Sequence, residues 1–180
     1  MILYKKEGMK LKILLCIDDT DDILKKENTG KIARYIVKNI MYNKYGETLE
    51  VTKHKLLKEK GINYTYNNES ICIEANVKEE EYMEVINDAK DIIKENMSPD
   101  SNPGICVIMM DKVFNKEEII DFGLKAEKEI INKKDASMLA LKSGIYLKEV
   151  SGSGDGIIGA LAGAALKLNG SGEVYSLEEE

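Results

Sequence analysis

The pattern of apolar and polar positions along the chain predicts a mixture of strands and helices. A largely apolar run at residues 11–17 and a fully apolar one at residues 104–110 are typical of buried strands. Mixed or alternating patterns predict further strands at residues 48–57, 70–77 and 145–150. Apolar residues at helical spacing predict helices at residues 31–42, 79–96, 116–132, 135–141 and 157–168.

The order of these elements gives an expected fold class of α+β. The elements up to residue 110 follow the order β-α-β-β-α-β, which is the ferredoxin-like pattern. Further helices, a strand and a helix that follows a glycine-rich loop come after it. We therefore expect a single compact domain over residues 9–170, with flexible termini at residues 1–8 and 171–180.

A cluster of acidic residues follows the first predicted strand directly. Asp18, Asp19 and Asp21 surround Thr20 where the strand gives way to a loop. Ligands of α/β proteins bind beyond the carboxyl ends of strands, and crowded carboxylates attract a cation. Mg²⁺ suits this set, because it takes one or two carboxylates and fills its other positions with water and phosphate oxygens. The alternatives are a solvated, helix-capping turn and, with less support, a calcium site.

A glycine-rich run follows the last predicted strand and opens the last predicted helix. Backbone N–H groups in such a loop, together with a helix N-terminus, can bind phosphate. The residues predicted to bind it are Ser151, Gly152, Ser153, Gly154, Asp155 and Gly156. The alternative is a flexible turn whose glycines allow close helix packing. A formal dinucleotide fingerprint at Gly154, Gly156 and Gly159 is rejected, because no strand ending in an acid follows it.

Three further groups of residues have both a structural and a functional interpretation. His54 is either a structural residue or a contact to a phosphate or a base. Lys25 and Lys26 either belong to a solvated loop or neutralise phosphoryl charge. The Asn-Tyr-Thr sequence at residues 63–65 either closes over a nucleotide or forms a capped turn.

Composition and charge narrow the class of protein. Apolar residues make up 43% and charged residues 32% of the 180-residue chain, as in an ordinary globular protein. The net charge of −6 argues against unaided binding to a nucleic-acid backbone, whereas small phosphates can still be held through Mg²⁺. Cys16, Cys72 and Cys106 lie in apolar runs and are expected to be buried thiols in a reducing compartment. No signal peptide or membrane-spanning run is visible, so we expect a cytoplasmic location.

Several short motifs, taken in order, resemble those of a known family. They are Cys-Ile-Asp-Asp-Thr-Asp at residues 16–21, Thr29 at a helix start, Asn-Tyr-Thr at 63–65, Asn-Pro-Gly at 102–104 and a glycine-rich stretch at 154–162. The set is similar to the N-terminal catalytic portion of archaeal tRNA(Ile2) 2-agmatinylcytidine synthetase and extends over residues 11–168.

The resemblance implies a kinase-like, ATP-dependent catalytic domain. It implies that Asp18, Asp19 and Asp21 hold Mg²⁺ and the ATP phosphates, and that residues 152–156 line the same site. The family has a Cys and two Thr where this chain has residues 27–29, so only Thr29 can stand in for a reactive threonine. The family's additional nucleic-acid-binding domains have no counterpart in these residues, so tRNA is not expected as a ligand without a partner chain.

The expected function is transfer of a phosphoryl or nucleotidyl group to a small-molecule acceptor by a transferase or ligase component. Its cofactors would be ATP, or another nucleoside triphosphate, and Mg²⁺. Its catalytic residues would be Asp18, Asp19, Asp21 and Thr29, with Thr20 among the nucleotide-binding residues. The alternatives are a non-catalytic nucleotide-sensing or partner-binding module and one subunit of a split tRNA-modifying enzyme; a homo-oligomer is compatible with either.

The two main motifs are expected to face one cleft, because a polyphosphate bridged by Mg²⁺ would satisfy both the acids and the glycine loop. The strands at residues 11–17 and 145–150 should then end on the same side of the fold, as parallel neighbours. Thr29 should lie at the rim of the cleft, at a helix N-terminus.

Overall fold

The computed structural model describes residues 8–20, 28–57 and 69–177. Its strands are β1 (Lys10–Asp18), β2 (Gly46–Lys55), β3 (Glu69–Lys78), β4 (Gly104–Met109), β5 (Tyr146–Glu149) and β6 (Glu173–Val174). Its α-helices are α1 (Asn28–Tyr42), α2 (Tyr82–Asn96), α3 (Lys116–Ala126), α4 (Lys133–Ser143) and α5 (Gly156–Leu168). Within these ranges, no helix is long and apolar enough to cross a membrane.

All strands belong to one antiparallel sheet with the order β5-β4-β1-β3-β2-β6. Its four central strands, with α1 and α2, have the order and connections of the ferredoxin-like pattern. The later strands extend this unit, β5 beside β4 and β6 beside β2. The predicted α+β fold class is therefore confirmed.

Helices cover both faces of the sheet, which explains the continuous apolar run in β1. Ile13, Leu15 and Ile17 pack in the core formed with α1 and α2. Leu14 and Cys16 point the other way, into a second core formed with α3, α4 and α5. Successive side chains of a strand alternate between faces, so the part of β1 that is covered on both sides, residues 13–17, is apolar throughout.

Two element predictions differ from the structure. The third predicted helix, at residues 116–132, ends at Ala126 in α3. The strands predicted as parallel neighbours, β1 and β5, run in the same direction but are not adjacent, because β4 lies between them and is antiparallel to both. The two strands nevertheless end on the same side of the fold, as expected, because Asp18 and Glu149 both pair with Gly104.

The tail that the sequence predicted to be flexible contains β6. Val174 pairs with Thr52 of β2, and the Tyr175 N–H donates to the Val51 carbonyl at 2.8 Å. Tyr175 and Leu177 also pack against the hydrophobic core. The open edge of β2 offers unpaired backbone groups, and this short segment satisfies some of them.

The expectation of three free thiols is correct for one cysteine and wrong for the other two. The register places Cys16 directly opposite Cys72 on β3, and these two residues form a disulfide. Cys106, opposite Cys16 on β4, is free and buried, and burial raises the pKa of its thiol. Sequence position alone does not reveal this pairing, because it depends on the register between two strands 56 residues apart.

Candidate functional site

The acidic cluster begins at an edge where several strand ends meet. Asp18, the last residue of β1, is paired in register with Gly104 at the start of β4. Gly104 is in turn paired with Glu149, the last residue of β5. The carboxyl ends of β1 and β5 therefore flank the first residue of β4, and the loops that follow them leave from the same edge.

The N-terminal part of α5 lies directly against this edge. A Cβ atom on Gly156 would meet the Asp18 carbonyl oxygen at 2.7 Å and the Gly104 nitrogen at 2.6 Å, both closer than real Cβ atoms come. A Cβ atom on Gly159, one turn later, would overlap Oδ2 of the Asp18 carboxylate. Only glycine permits this approach. The acidic strand end and the glycine-rich helix, which are remote in sequence, thus share one location.

The chain turns sharply immediately after Asp18. Asp19 has a left-handed conformation with φ of 56°, which a non-glycine residue seldom adopts, and its N–H donates to Oδ1 of Asp18 at 2.7 Å. Both aspartates are buried, with exposed fractions of 6% and 8%. The turn directs Asp18 towards α5 and the next residue, Thr20, towards α1.

Thr20 connects the strand end to the start of α1. Its hydroxyl donates to the hydroxyl oxygen of Thr29 at 2.8 Å, and both side chains are buried. Thr29 is the second residue of α1, at a helix N-terminus as expected. Thr29 is about as buried as Asp18 and Asp19, and its expected position at the rim of a cleft stays a prediction.

The loop at residues 97–103 joins the acidic cluster to the glycine loop. The Ser98 N–H donates to the Thr20 carbonyl at 3.0 Å. On the other side, the Asn102 side-chain oxygen accepts from the Ser153 N–H at 2.8 Å, and its carbonyl accepts from the Gly156 N–H at 2.9 Å. Sequence reasoning included Asn102 only as part of a family motif and missed Ser98, whose contribution is a backbone hydrogen bond that residue type does not reveal.

The glycine loop makes different hydrogen bonds from those expected of a phosphate cradle. Besides the two N–H groups bonded to Asn102, the Gly154 N–H donates to a carbonyl within the loop at 3.2 Å. The Asp155 N–H donates to the Ser153 hydroxyl oxygen at 3.4 Å. These four N–H groups already have hydrogen-bond partners within the protein. The loop therefore uses them to hold its own conformation, and Gly156 allows the close packing of α5.

The acidic cluster offers a divalent cation few ligands within the described residues. Among the described residues, no group of three or more His, Cys, Asp or Glu side chains could hold a metal ion. Asp18 and Asp19 nevertheless supply two adjacent carboxylates, and Mg²⁺ needs no more than one or two from the protein. The third predicted ligand, Asp21, lies outside the described residues, as do Lys25, Lys26 and residues 63–65.

His54 lies inside the protein, beside Thr52. It is 2% exposed in β2, and its Nε2 lies 2.9 Å from the hydroxyl oxygen of Thr52. Burial, together with the nearby positive charge of Lys167, lowers the pKa of His54 to about 4. The ring is therefore neutral at physiological pH, which removes the charge that a phosphate contact would use.

Comparisons with known proteins support the fold. No protein-family model and no curated protein sequence matches the chain. The structure is similar to apo TiaS (tRNAIle2 agmatidine synthetase), with a TM-score of 0.70 and 20% identity over 87% of this chain and 35% of TiaS. The TiaS–tRNA(Ile2)–ATP complex gives a TM-score of 0.73 and 21% identity, over 86% of this chain and 36% of that one.

A third similar structure is the TiaS–tRNA(Ile2)–AMPCPP–agmatine complex, with a TM-score of 0.71 and 20% identity over 86% of this chain and 36% of that one. The chain thus spans about a third of the length of TiaS. The resemblance that the sequence motifs suggested is confirmed at the level of the fold.

The lowered pKa of His54 predicts how stability depends on pH. Between pH 6.5 and about 4 the unfolded chain binds a proton at His54 and the folded chain does not, so the free energy of unfolding falls as the pH falls through this window. The loss is at most about 3 kcal/mol. Urea unfolding at several pH values should show a smaller decline for His54→Gln than for the wild type. Equal declines would contradict the assignment of a buried, neutral ring.

Proposed function

We propose that this protein is an ATP- and Mg²⁺-dependent enzyme that transfers a phosphoryl or nucleotidyl group to a small acceptor. The observation that carries the proposal is the contact between the Asp18 carboxylate and the backbone of Gly159. This contact brings a pair of buried carboxylates and a glycine-rich helix start together at one edge of the sheet. Transfer of a phosphoryl group depends mainly on positioning and on neutralising charge, and this combination of groups suits both tasks.

Asp18 and Asp19 would hold the magnesium ion, with Asp21 as a further candidate. The bound ion would supply positive charge to the phosphate oxygens. The hydrogen bond from the Asp19 N–H to Oδ1 of Asp18 fixes the relative orientation of the two residues. Burial favours the same role, because a carboxylate removed from water gains more from a nearby cation than an exposed one does.

We call Asp18, Asp19 and Thr20 the acidic turn, and the segment between β5 and α5, residues 150–155, the glycine loop. The nucleotide phosphates would lie between the two. Gly152 and Ser153 are exposed and Ser151 is partly exposed, so these residues can be reached from solvent. The hydroxyl groups of Ser151 and Ser153 would donate to phosphate oxygens. Gly154, Asp155 and Gly156 would shape the loop.

Thr29 would orient the transferring group from the start of α1. Its hydroxyl oxygen accepts a hydrogen bond from Thr20, which fixes the position of that oxygen beside the acidic turn. The positive end of the α1 dipole lies at the same place and favours an anion. Thr29 is accordingly the residue that we assign to positioning the group in transfer.

The fold similarity to TiaS supports the choice of ligands. Solved TiaS structures contain ATP in one complex, and AMPCPP with agmatine in another. ATP is therefore the first nucleotide to test with this protein. Agmatine, a small amine, is the first acceptor to test.

The proposal predicts that ATP with Mg²⁺ raises the melting temperature and that the aspartates are required for the rise. A ligand at 100 times its Kd stabilises the folded state by about 2.7 kcal/mol, which corresponds to a rise of several degrees for a chain of this size. Asp18→Asn and Asp19→Asn should each abolish the rise while the variants remain folded. A rise of unchanged size in both variants would exclude the acidic turn from the site.

A matched pair of glycine variants distinguishes a loss of ligand binding at the acidic turn from a general disturbance of helix packing. A Cβ atom on Gly159 would overlap the Asp18 carboxylate, whereas one on Gly163, one turn further along α5, would overlap the Ser70 hydroxyl. Both substitutions disturb the same helix–sheet contact. Only Gly159→Ala should remove the shift caused by ATP and Mg²⁺, and equal losses in both variants would mean that the shift reports packing alone.

A second candidate is one part of a tRNA-modifying enzyme whose RNA-binding region is supplied by other residues or another chain. It is favoured by the similarity to about a third of the length of TiaS together with a net charge of −6. We expect this chain alone to bind tRNA weakly near physiological salt, because it lacks the excess of positive charge that backbone binding needs. Tight, salt-resistant binding in a filter or mobility-shift assay would contradict this and favour tRNA as the direct substrate.

A further inference from the structure

Lys133 connects the start of α4 to the glycine loop. Its ammonium group donates to Oε1 of Glu149, the last residue of β5, at 3.0 Å. It also donates to the carbonyl oxygen of Ser153 and lies 3.8 Å from Oδ1 of Asp155. One cation thus contacts the residue before the loop, the middle of the loop and the residue before α5.

The side chain of Glu149 fits closely against the loop. Gly154 has φ of 68°, and a Cβ atom on it would overlap the Glu149 side chain. The stem of the glutamate therefore lies against Gly154, and its carboxylate is paired with Lys133. Asn102 also holds this segment, because it accepts hydrogen bonds from the N–H groups of Ser153 and Gly156.

The positive charge of Lys133 matters because the charged side chains of residues 149–156, Glu149 and Asp155, are both carboxylates. Glu149 and Asp155 both lie beside the proposed position of a polyphosphate, and like charges at short range repel. The ammonium group offsets part of this negative charge. Its side chain is 35% exposed, so its hydrogen bonds to the loop are only partly screened by water.

We propose that Lys133 is a positioning residue of the candidate site. It holds the glycine loop in the arrangement that keeps α5 against Asp18, and it offsets the charge of Glu149 so that the loop admits an anionic nucleotide. Lys133 acts through the loop, since its contacts are with loop and strand-end oxygens. The ligand part of this inference rests on the proposed function, whereas the support of the loop does not.

The loop-holding part can be tested without any ligand. Lys133→Ala should increase the rate of amide hydrogen exchange at Ser153 and Gly156, whose N–H groups are bonded to Asn102. Lys134→Ala is the matched control, because Lys134 is the next residue on α4 and is exposed. Exchange at the loop that is unchanged in Lys133→Ala, or equally faster in both variants, would overturn the proposal.

The ligand part is tested by measuring the Kd of ATP with Mg²⁺ by calorimetry. Lys133→Ala should raise the Kd about tenfold, equivalent to about 1.4 kcal/mol. Lys133→Arg should stay close to the wild type, and Lys133→Ala combined with Glu149→Gln should recover most of the loss because the uncompensated carboxylate is gone. A Kd that is unchanged in Lys133→Ala, or a loss that Glu149→Gln does not rescue, would overturn the role in charge compensation. Absence of binding by the wild type would instead refute the proposed function, and hydrogen exchange would still decide whether Lys133 holds the loop.

Discussion

The close approach of α5 to the carboxyl end of β1 is the constraint on which the rest of the site depends. Gly156 and Gly159 have no room for a side chain, because backbone atoms of the strand ends and the Asp18 carboxylate occupy the space. This approach fixes where the glycine loop must end, and β5 must finish at the same edge to supply it. Overpacking at such a contact costs about 1–3 kcal/mol, since neither a helix backbone nor a paired strand moves easily.

A buried acidic turn is costly unless something positive or hydrogen-bonding lies nearby. The turn at Asp19 supplies one N–H to Asp18, and the first turn of α5 lies against the same carboxylate. A magnesium ion would complete this pattern of opposed charges, and it is the part of our proposal that goes beyond the contacts present in the chain. At the glycine loop, the positive charge of Lys133 offsets the negative charges of Glu149 and Asp155.

Sequence patterns predicted the elements well where a single periodicity dominates. The apolar runs of β1 and β4, the mixed or alternating patterns of β2 and β3 and the helical spacing of α1 and α2 together predicted the ferredoxin-like order. Pairing across the sheet was not predictable in this way: the Cys16–Cys72 pair and the insertion of β4 between β1 and β5 depend on register and topology. The structural role of Lys133 was also missed, because a lysine at a helix start is an ordinary surface residue until its partners in the fold are known.

The central claim is that a metal–nucleotide complex binds between the acidic turn and the glycine loop. Paramagnetic broadening of backbone amide signals by Mn²⁺ bound with ATP tests it most directly, because the effect depends on distance from the metal. Our account predicts that signals from Asp18 to Thr20 and from Gly152 to Gly159 broaden together, and that those of Gly46 and Glu47, which lie level with the opposite end of β1, stay sharp. Broadening of only one of the two motifs, or of neither, would contradict a shared site.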